Sequence, residues 1–155
     1  MPGLTVAVTG PTGDLGRAFI RTLERSREVE RIIGMARRPF DPAAHGWKRT
    51  EYRRGDVLDR ASVETLVEGA DVVVHLAFIV VKASAETRHI NVEGSRNVFT
   101  AAVEAGVERI CYASSVAAYG FHTDNPDWLT EDVPPRGSPE LYYSCLLYTS
   151  PSPRD

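Results

Sequence analysis

The sequence predicts an α/β fold, a doubly wound parallel sheet, and three observations carry the expectation. Short β-branched, apolar runs alternate with segments of helical period along most of the chain. The first run ends in three glycines spaced three apart, Gly10, Gly13 and Gly16, and a helical period begins inside that turn. Finally, 155 residues with 43% hydrophobic and 25% charged side chains match one ordinary globular domain with a buried core.

The elements follow in order. Residues 4–9 (L-T-V-A-V-T) are a β-rich run closed by the glycine turn. Residues 14–26 place Leu15, Phe19, Ile20 and Leu23 on one helical face. Residues 31–36 read as a strand, 51–54 as a weaker one and 61–68 as a helix. Residues 71–76 have the uninterrupted apolar character of a strand covered on both faces. A long helix is expected over 85–105 and a fifth strand over 108–113 (E-R-I-C-Y-A). Residues 121–138, rich in Pro, Asp and Gly, are expected to form a loop. No repeat is visible beyond the βα rhythm.

Charge and composition remove several classes of function. The net charge is -3 and the pI near 5.8, with acids and bases mixed and no basic tract, which points away from nucleic acid. The longest apolar stretch, residues 70–81, contains Asp71 and His75 and falls short of the ~20 residues that cross a bilayer. The N-terminus runs straight into a strand pattern without a signal-peptide profile, so no membrane association and a cytoplasmic location are expected. Two cysteines, Cys111 and Cys145, make neither a disulfide framework nor a metal site, and no metal is expected.

The last residues depart from this pattern. Residues 145–155 (C-L-L-Y-T-S-P-S-P-R-D) resemble the translation of a sequencing adaptor, with a genuine disordered Pro/Ser tail as the alternative, so the native domain is expected to occupy 1–144, incomplete and followed by a non-native tail. Leu146, Leu147 and Tyr148 would start a helix that Pro151 and Pro153 prevent from continuing.

The glycine turn stands where a strand passes into a helix. Glycines there let the backbone turn tightly, approach a pyrophosphate and pack the helix on the sheet, while the helix N-terminus offers amide donors and positive potential. Gly10, Thr12, Gly13, Asp14, Leu15 and Gly16 are therefore candidate contacts to a nicotinamide dinucleotide. The second strand would end Gly34-Met35-Ala36-Arg37-Arg38 without the acid that usually accepts the adenosine ribose hydroxyls. Arg37 and Arg38 could fork onto a phosphate, which favours NADP and leaves NAD open. Asp56 could reach an adenine amino group with the Val57 backbone beside it, or could cap the following helix. Leu76 and Ala77 would let the cofactor ribose lie close to the chain, and His75 reads as a structural histidine.

Taken together, T-G-P-T-G-D-L-G at 9–16, G-D-V at 55–57, H-L-A at 75–77, N-V-E-G-S-R-N-V at 91–98 and S-S-V-A-A-Y-G at 114–120 resemble the extended short-chain dehydrogenases/reductases, the NAD-dependent epimerase/dehydratase family. The resemblance covers residues 4–144 and implies a Rossmann-type sheet. It also implies an enzyme acting by hydride transfer on a C–OH or C=O of a sugar nucleotide or small alcohol or ketone. In that family the position of Asn91 fixes strand and helix in the core beside the cofactor. The position of Ser115 holds the substrate oxygen, and otherwise a serine there would cap its own backbone. The catalytic tyrosine of a Y-x-x-x-K pattern corresponds to Tyr143, with Tyr142 as the alternative register, and Tyr119 is read as packing.

The partner lysine is missing. Leu147 stands four residues past Tyr143, Leu146 four past Tyr142, and no lysine follows Lys82. Bringing a tyrosine pKa from about 10 down by about 3 units needs ~4 kcal/mol, which leucine does not supply. This chain is therefore expected to be inactive, lacking also a substrate-binding segment, while the family resemblance suggests homodimers for a complete protein. A non-catalytic NADP-binding sensor stays open as the other class of function.

Overall fold

The computed structural model describes residues 3–79, 84–138 and 144. The chain divides into two compact units, Met1–Phe78 with Glu93–Ala113, and Ile79–Val92 with Ser114–Asp155.

The first unit is built on a parallel sheet of β1 (Leu4–Thr9), β2 (Val29–Ala36), β3 (Thr50–Arg54), β4 (Val72–His75) and β5 (Arg109–Tyr112), in the order β3-β2-β1-β4-β5. The helices are α1 (Asp14–Leu23), α2 (Arg60–Val67) and α3 (Ala85–Glu104), the last beginning in the second unit. Strand alternation sends Val6, Val8, Ile32 and Val74 to one face, where they pack with Ile20 of α1, Val29 and Trp47. Ala7, Ile33, Met35 and Val73 point the other way and are buried, as are Val63, Leu66 and Val67 of α2 and Val98, Ala101 and Ala102 of α3. With apolar side chains on both faces, the central strands carry the continuous hydrophobic runs that the sequence shows.

Most expected elements agree with the structure to within a residue or two. The second strand begins at Val29, earlier than expected, because buried Val29 joins the core and pairs with Leu4. The register then shifts between Leu4 and Thr5, leaving Glu30 as the extra residue. The first helix stops at Leu23, short of the expected Ser26, and the N–H groups of Arg25 and Ser26 turn to carbonyls three residues back.

Just past that helix end, Glu24 ties the chain to the start of β3. Its carboxylate accepts the N–H of Lys48 at 3.1 Å and of Arg49 at 3.0 Å, and the Thr50 hydroxyl at 2.7 Å. Burial raises the Glu24 pKa, but the Thr50 hydroxyl and the N–H groups of Lys48, Arg49 and Thr50 outweigh it and hold the carboxyl below its usual range. Glu24→Ala is expected to cost about 2 kcal/mol, read as a lower urea midpoint. An unchanged midpoint would mean that the loop holds its place without the carboxylate.

In the second unit, Asn91 exchanges two hydrogen bonds with the main chain of Ile79, donating to its carbonyl and accepting its N–H, both at 3.0 Å. A side-chain amide here imitates a strand partner and holds the segment after β4 against α3. A short 3₁₀ turn, Val116–Tyr119, follows β5, as does the irregular segment expected over 121–138. Among the described residues no helix is long and apolar enough to cross a membrane.

Candidate functional site

At the C-terminal ends of the strands, Thr9 of β1 lies level with Met35 of β2 on one side and His75 of β4 on the other. The strand order reverses here, and in open parallel sheets such a reversal leaves a crevice where ligands bind. Gly10 follows at φ 72°, a left-handed conformation. A Cβ on it would stand 3.0 Å from the Ala77 nitrogen and from the Leu76 carbonyl carbon and oxygen. Gly16 is tighter still, because its Cβ would meet the Gly10 carbonyl oxygen at 2.1 Å and the Pro11 Cα at 2.8 Å. These two glycines are dictated by the turn folding onto itself.

Gly13 is different. Its φ of -75° and ψ of 169° suit any residue, and a Cβ would meet only the Gly10 oxygen, at 3.7 Å. It is exposed at the N-cap of α1 and supplies no side-chain cap. Arg17 closes the first helical bond onto the Gly13 carbonyl at 2.8 Å, while the N–H groups of Asp14, Leu15 and Gly16 have no acceptor among the described residues. Three free amides and a glycine that the fold does not require make a cradle suited to a phosphate. Thr12 is half-buried in the same turn, and Leu15 is 62% exposed.

Arg37 and Arg38, immediately after β2, are exposed, and among the described residues neither guanidinium has a partner. Their main chain is held from below. The Tyr52 hydroxyl shares its one proton between the carbonyls of Ala36, at 2.7 Å, and Arg38, and the Arg54 Nε donates to the Arg37 carbonyl at 3.0 Å. Phe40 packs on His45, Trp47 and Tyr52 with ring centroids 4.9 to 5.6 Å apart. The sequence reading noticed the arginines but missed this support, since its parts lie on separate segments.

Asp56 bonds its own chain. Its Oδ1 accepts the Leu58 N–H at 3.1 Å in a local turn, and the N-cap position of α2 belongs to Asp59. Val57 is buried and packs against Gly94, whose Cβ would come within 2.5 Å of the Val57 Cγ2, and its carbonyl accepts the Asn97 amide at 2.9 Å. His75 is 1% exposed, ringed by Phe78, Phe99 and Tyr112, and its pKa is pushed down to about 4 by burial.

Ser115, in the second unit, caps the 3₁₀ turn by accepting the Ala117 N–H at 3.2 Å. Buried Ser144, which sequence reasoning passed over, accepts the Ser138 N–H at 2.8 Å and donates to the Ala117 carbonyl. Tyr142, Tyr143, Cys145 and the remaining tail lie outside the described residues. Among the described residues no group of three or more His, Cys, Asp or Glu is placed to hold a metal ion.

A parallel sheet of this order, with a glycine turn at its reversal point, defines a Rossmann-type α/β protein. The chain belongs to the NAD dependent epimerase/dehydratase family, whose model matches residues 6–145. It is 34% identical to uronate dehydrogenase of Pseudomonas putida over 137 residues, covering 88% of this chain and 48% of that protein. It is 32% identical to 3 beta-hydroxysteroid dehydrogenase type 7 of Homo sapiens, covering 92% and 41%. The chain thus spans less than half the length of each of these relatives. The crystal structure of uronate dehydrogenase from Agrobacterium tumefaciens superposes with a TM-score of 0.76 at 31% identity, covering 94% of this chain and 53% of that one. A mutant of that enzyme complexed with NAD gives a TM-score of 0.75 at 30% identity, with the same coverage.

Proposed function

We propose that this chain is the dinucleotide-binding half of an oxidoreductase, epimerase or dehydratase that moves hydride to or from a C–OH or C=O carbon of a sugar nucleotide or a small alcohol or ketone. The observation that carries the reading is Gly13, a glycine without a reason in the fold, beside three free amides at the start of α1. Those amides would hold the pyrophosphate, with Gly10 and Gly16 keeping the turn closed beneath it and the Leu76–Ala77 backbone forming a wall of the pocket. A bound nicotinamide would supply the hydride acceptor or donor. Ser115 would hold the reacting oxygen and Tyr143 would exchange its proton, a step that depends on lowering the phenol pKa. Family membership and the uronate and steroid dehydrogenases among the relatives support this class of chemistry.

Two finer readings belong to the same proposal. Arg37 and Arg38, exposed and unpartnered at the end of β2, would favour the extra phosphate of NADP. Residues 145–155 are read as foreign to the rest, so that without a lysine four residues after Tyr143 the chain binds cofactor but does not turn over. Fluorescence titration with NADPH and NADH tests the first, with NADPH expected to bind tighter and Arg37→Ala with Arg38→Ala expected to abolish the difference. Equal affinities in the unaltered chain would sink the NADP preference, and no binding of either would sink the site. Measurable turnover of sugar nucleotides or ketones by the 155-residue chain would contradict its inactivity.

A further inference from the structure

The arginines of β2, of β3 and of the turn after β2 fall into two groups. Arg31 and Arg53 both pair with Glu51, so they carry their counter-ion within the fold. Arg37, Arg38 and Arg54 stand exposed at the C-terminal ends of the strands, and among the described residues none of the three has a carboxylate partner. Asp41 and Asp56, which follow them in sequence, turn instead to the N–H groups of Ala43 and Leu58. Like charges gathered without an acid repel one another, and a dianionic group among them relieves that repulsion.

Arg54 is the last residue of β3 and pairs with Ala36, the last of β2. Its Nε donates to the Arg37 carbonyl at 3.0 Å, which fixes the guanidinium beside the Arg37 main chain. Both NH2 groups of Arg54 are left without an acceptor among the described residues. A guanidinium anchored at Nε still presents two N–H donors that can fork onto two oxygens of one phosphate. We infer that Arg54 is a specificity-determining residue for the cofactor, the third guanidinium around the ribose phosphate by which NADP differs from NAD. The inference rests on the proposed dinucleotide site and on its NADP preference. In the order β3-β2-β1, β3 lies beyond β2 from the glycine turn that follows β1, so an adenosine running from the free amides of α1 across the end of β2 comes to Arg54 as it passes Arg37 and Arg38. Seventeen residues separate Arg54 from Arg37 in sequence, and the pairing of β2 with β3 brings them together.

Calorimetric titration of the 155-residue chain with adenosine 2′,5′-bisphosphate and with adenosine 5′-monophosphate tests this, since the two probes differ only in the 2′-phosphate. The bisphosphate should bind the wild type more tightly. Arg54→Gln should weaken the bisphosphate about tenfold and the monophosphate less than about twofold. Equal weakening of both probes would mean that Arg54 merely holds the Arg37 main chain, and it overturns the inference. An unchanged bisphosphate affinity in folded Arg54→Gln also overturns it, while leaving the NADP preference of the wild type standing. A wild type that binds the two probes equally refutes the NADP preference and the role of Arg54 together, and one that binds neither refutes the site. Should Arg54→Gln fail to fold, Arg54→Lys decides, because a single ammonium keeps the charge but cannot bond the Arg37 carbonyl and fork onto a phosphate at once. Its preference for the bisphosphate should fall at least about threefold, and a wild-type preference there overturns the inference.

Discussion

Gly16→Ala should unfold or nearly unfold the turn that Gly13→Ala leaves intact, and the two variants together separate the fold's demands from the ligand's. In an exposed helix, replacing glycine by alanine ordinarily gains up to about 1 kcal/mol. At Gly16 the added methyl would lie 2.1 Å from the Gly10 oxygen and 2.8 to 2.9 Å from the Pro11 Cα and carbonyl carbon. All three are backbone atoms, so relief requires α1 to move off the turn, and the sign reverses to a loss of about 3 kcal/mol. Dinucleotide binding should disappear with it. Gly13→Ala has room in the chain itself and an ordinary backbone conformation, so its stability should stay within about 0.5 kcal/mol of wild type. Its affinity for NADPH should nonetheless fall by at least about tenfold, because the methyl stands where the phosphate must approach. Urea midpoints and fluorescence titrations read the pair. Unchanged binding in Gly13→Ala would remove the observation on which the proposed function rests.

The second large effect is a loss of stability in mild acid. His75 titrates near 6.5 when unfolded and at about 4 when folded, because burial disfavours its charged form. Between those values the unfolded chain binds a proton that the folded chain refuses, so stability is complete above about pH 6.5 and declines as the pH falls toward 4. At about 1.4 kcal/mol per unit, the decline reaches about 2 kcal/mol by pH 5 and about 3 kcal/mol by pH 4. The groups around the ring are Thr9, Ser95, Phe78, Phe99 and Tyr112, none of them charged near neutrality. Glu24, whose pKa lies below its usual range, adds its own loss only at lower pH. Urea midpoints from pH 7.5 to 4.5 should therefore fall steeply for the wild type and much less for His75→Gln. Parallel slopes in the two proteins would show that the acid sensitivity lies elsewhere.

The contrast between Gly13 and His75 marks how far residues can be interpreted without coordinates. A glycine turn between a strand and a helix is a local pattern, so its spacing and flanking periods were enough to assign it. The βα order, five strands and three helices were legible for the same reason, since hydrophobic period reports burial directly. The Tyr52 bonds beneath Arg37 and Arg38 were not, because they join residues 14 to 16 apart whose neighbours carry no shared pattern. Asp56 shows a local bond the sequence did not single out, its carboxylate accepting the N–H two residues on.

By itself the sequence determined the doubly wound fold and the turn at Gly10, Gly13 and Gly16, which follow from local conformation and periodic burial, and its motifs carried the resemblance to the family. Tertiary structure alone decided which of those glycines the fold needs, because that depends on how near another backbone comes. It also decided the surroundings of His75. Thr9 and Ser95 lie 66 and 20 residues from it in sequence, and only the parallel pairing of β1 with β4 and the packing of α3 bring their hydroxyls to its two nitrogens.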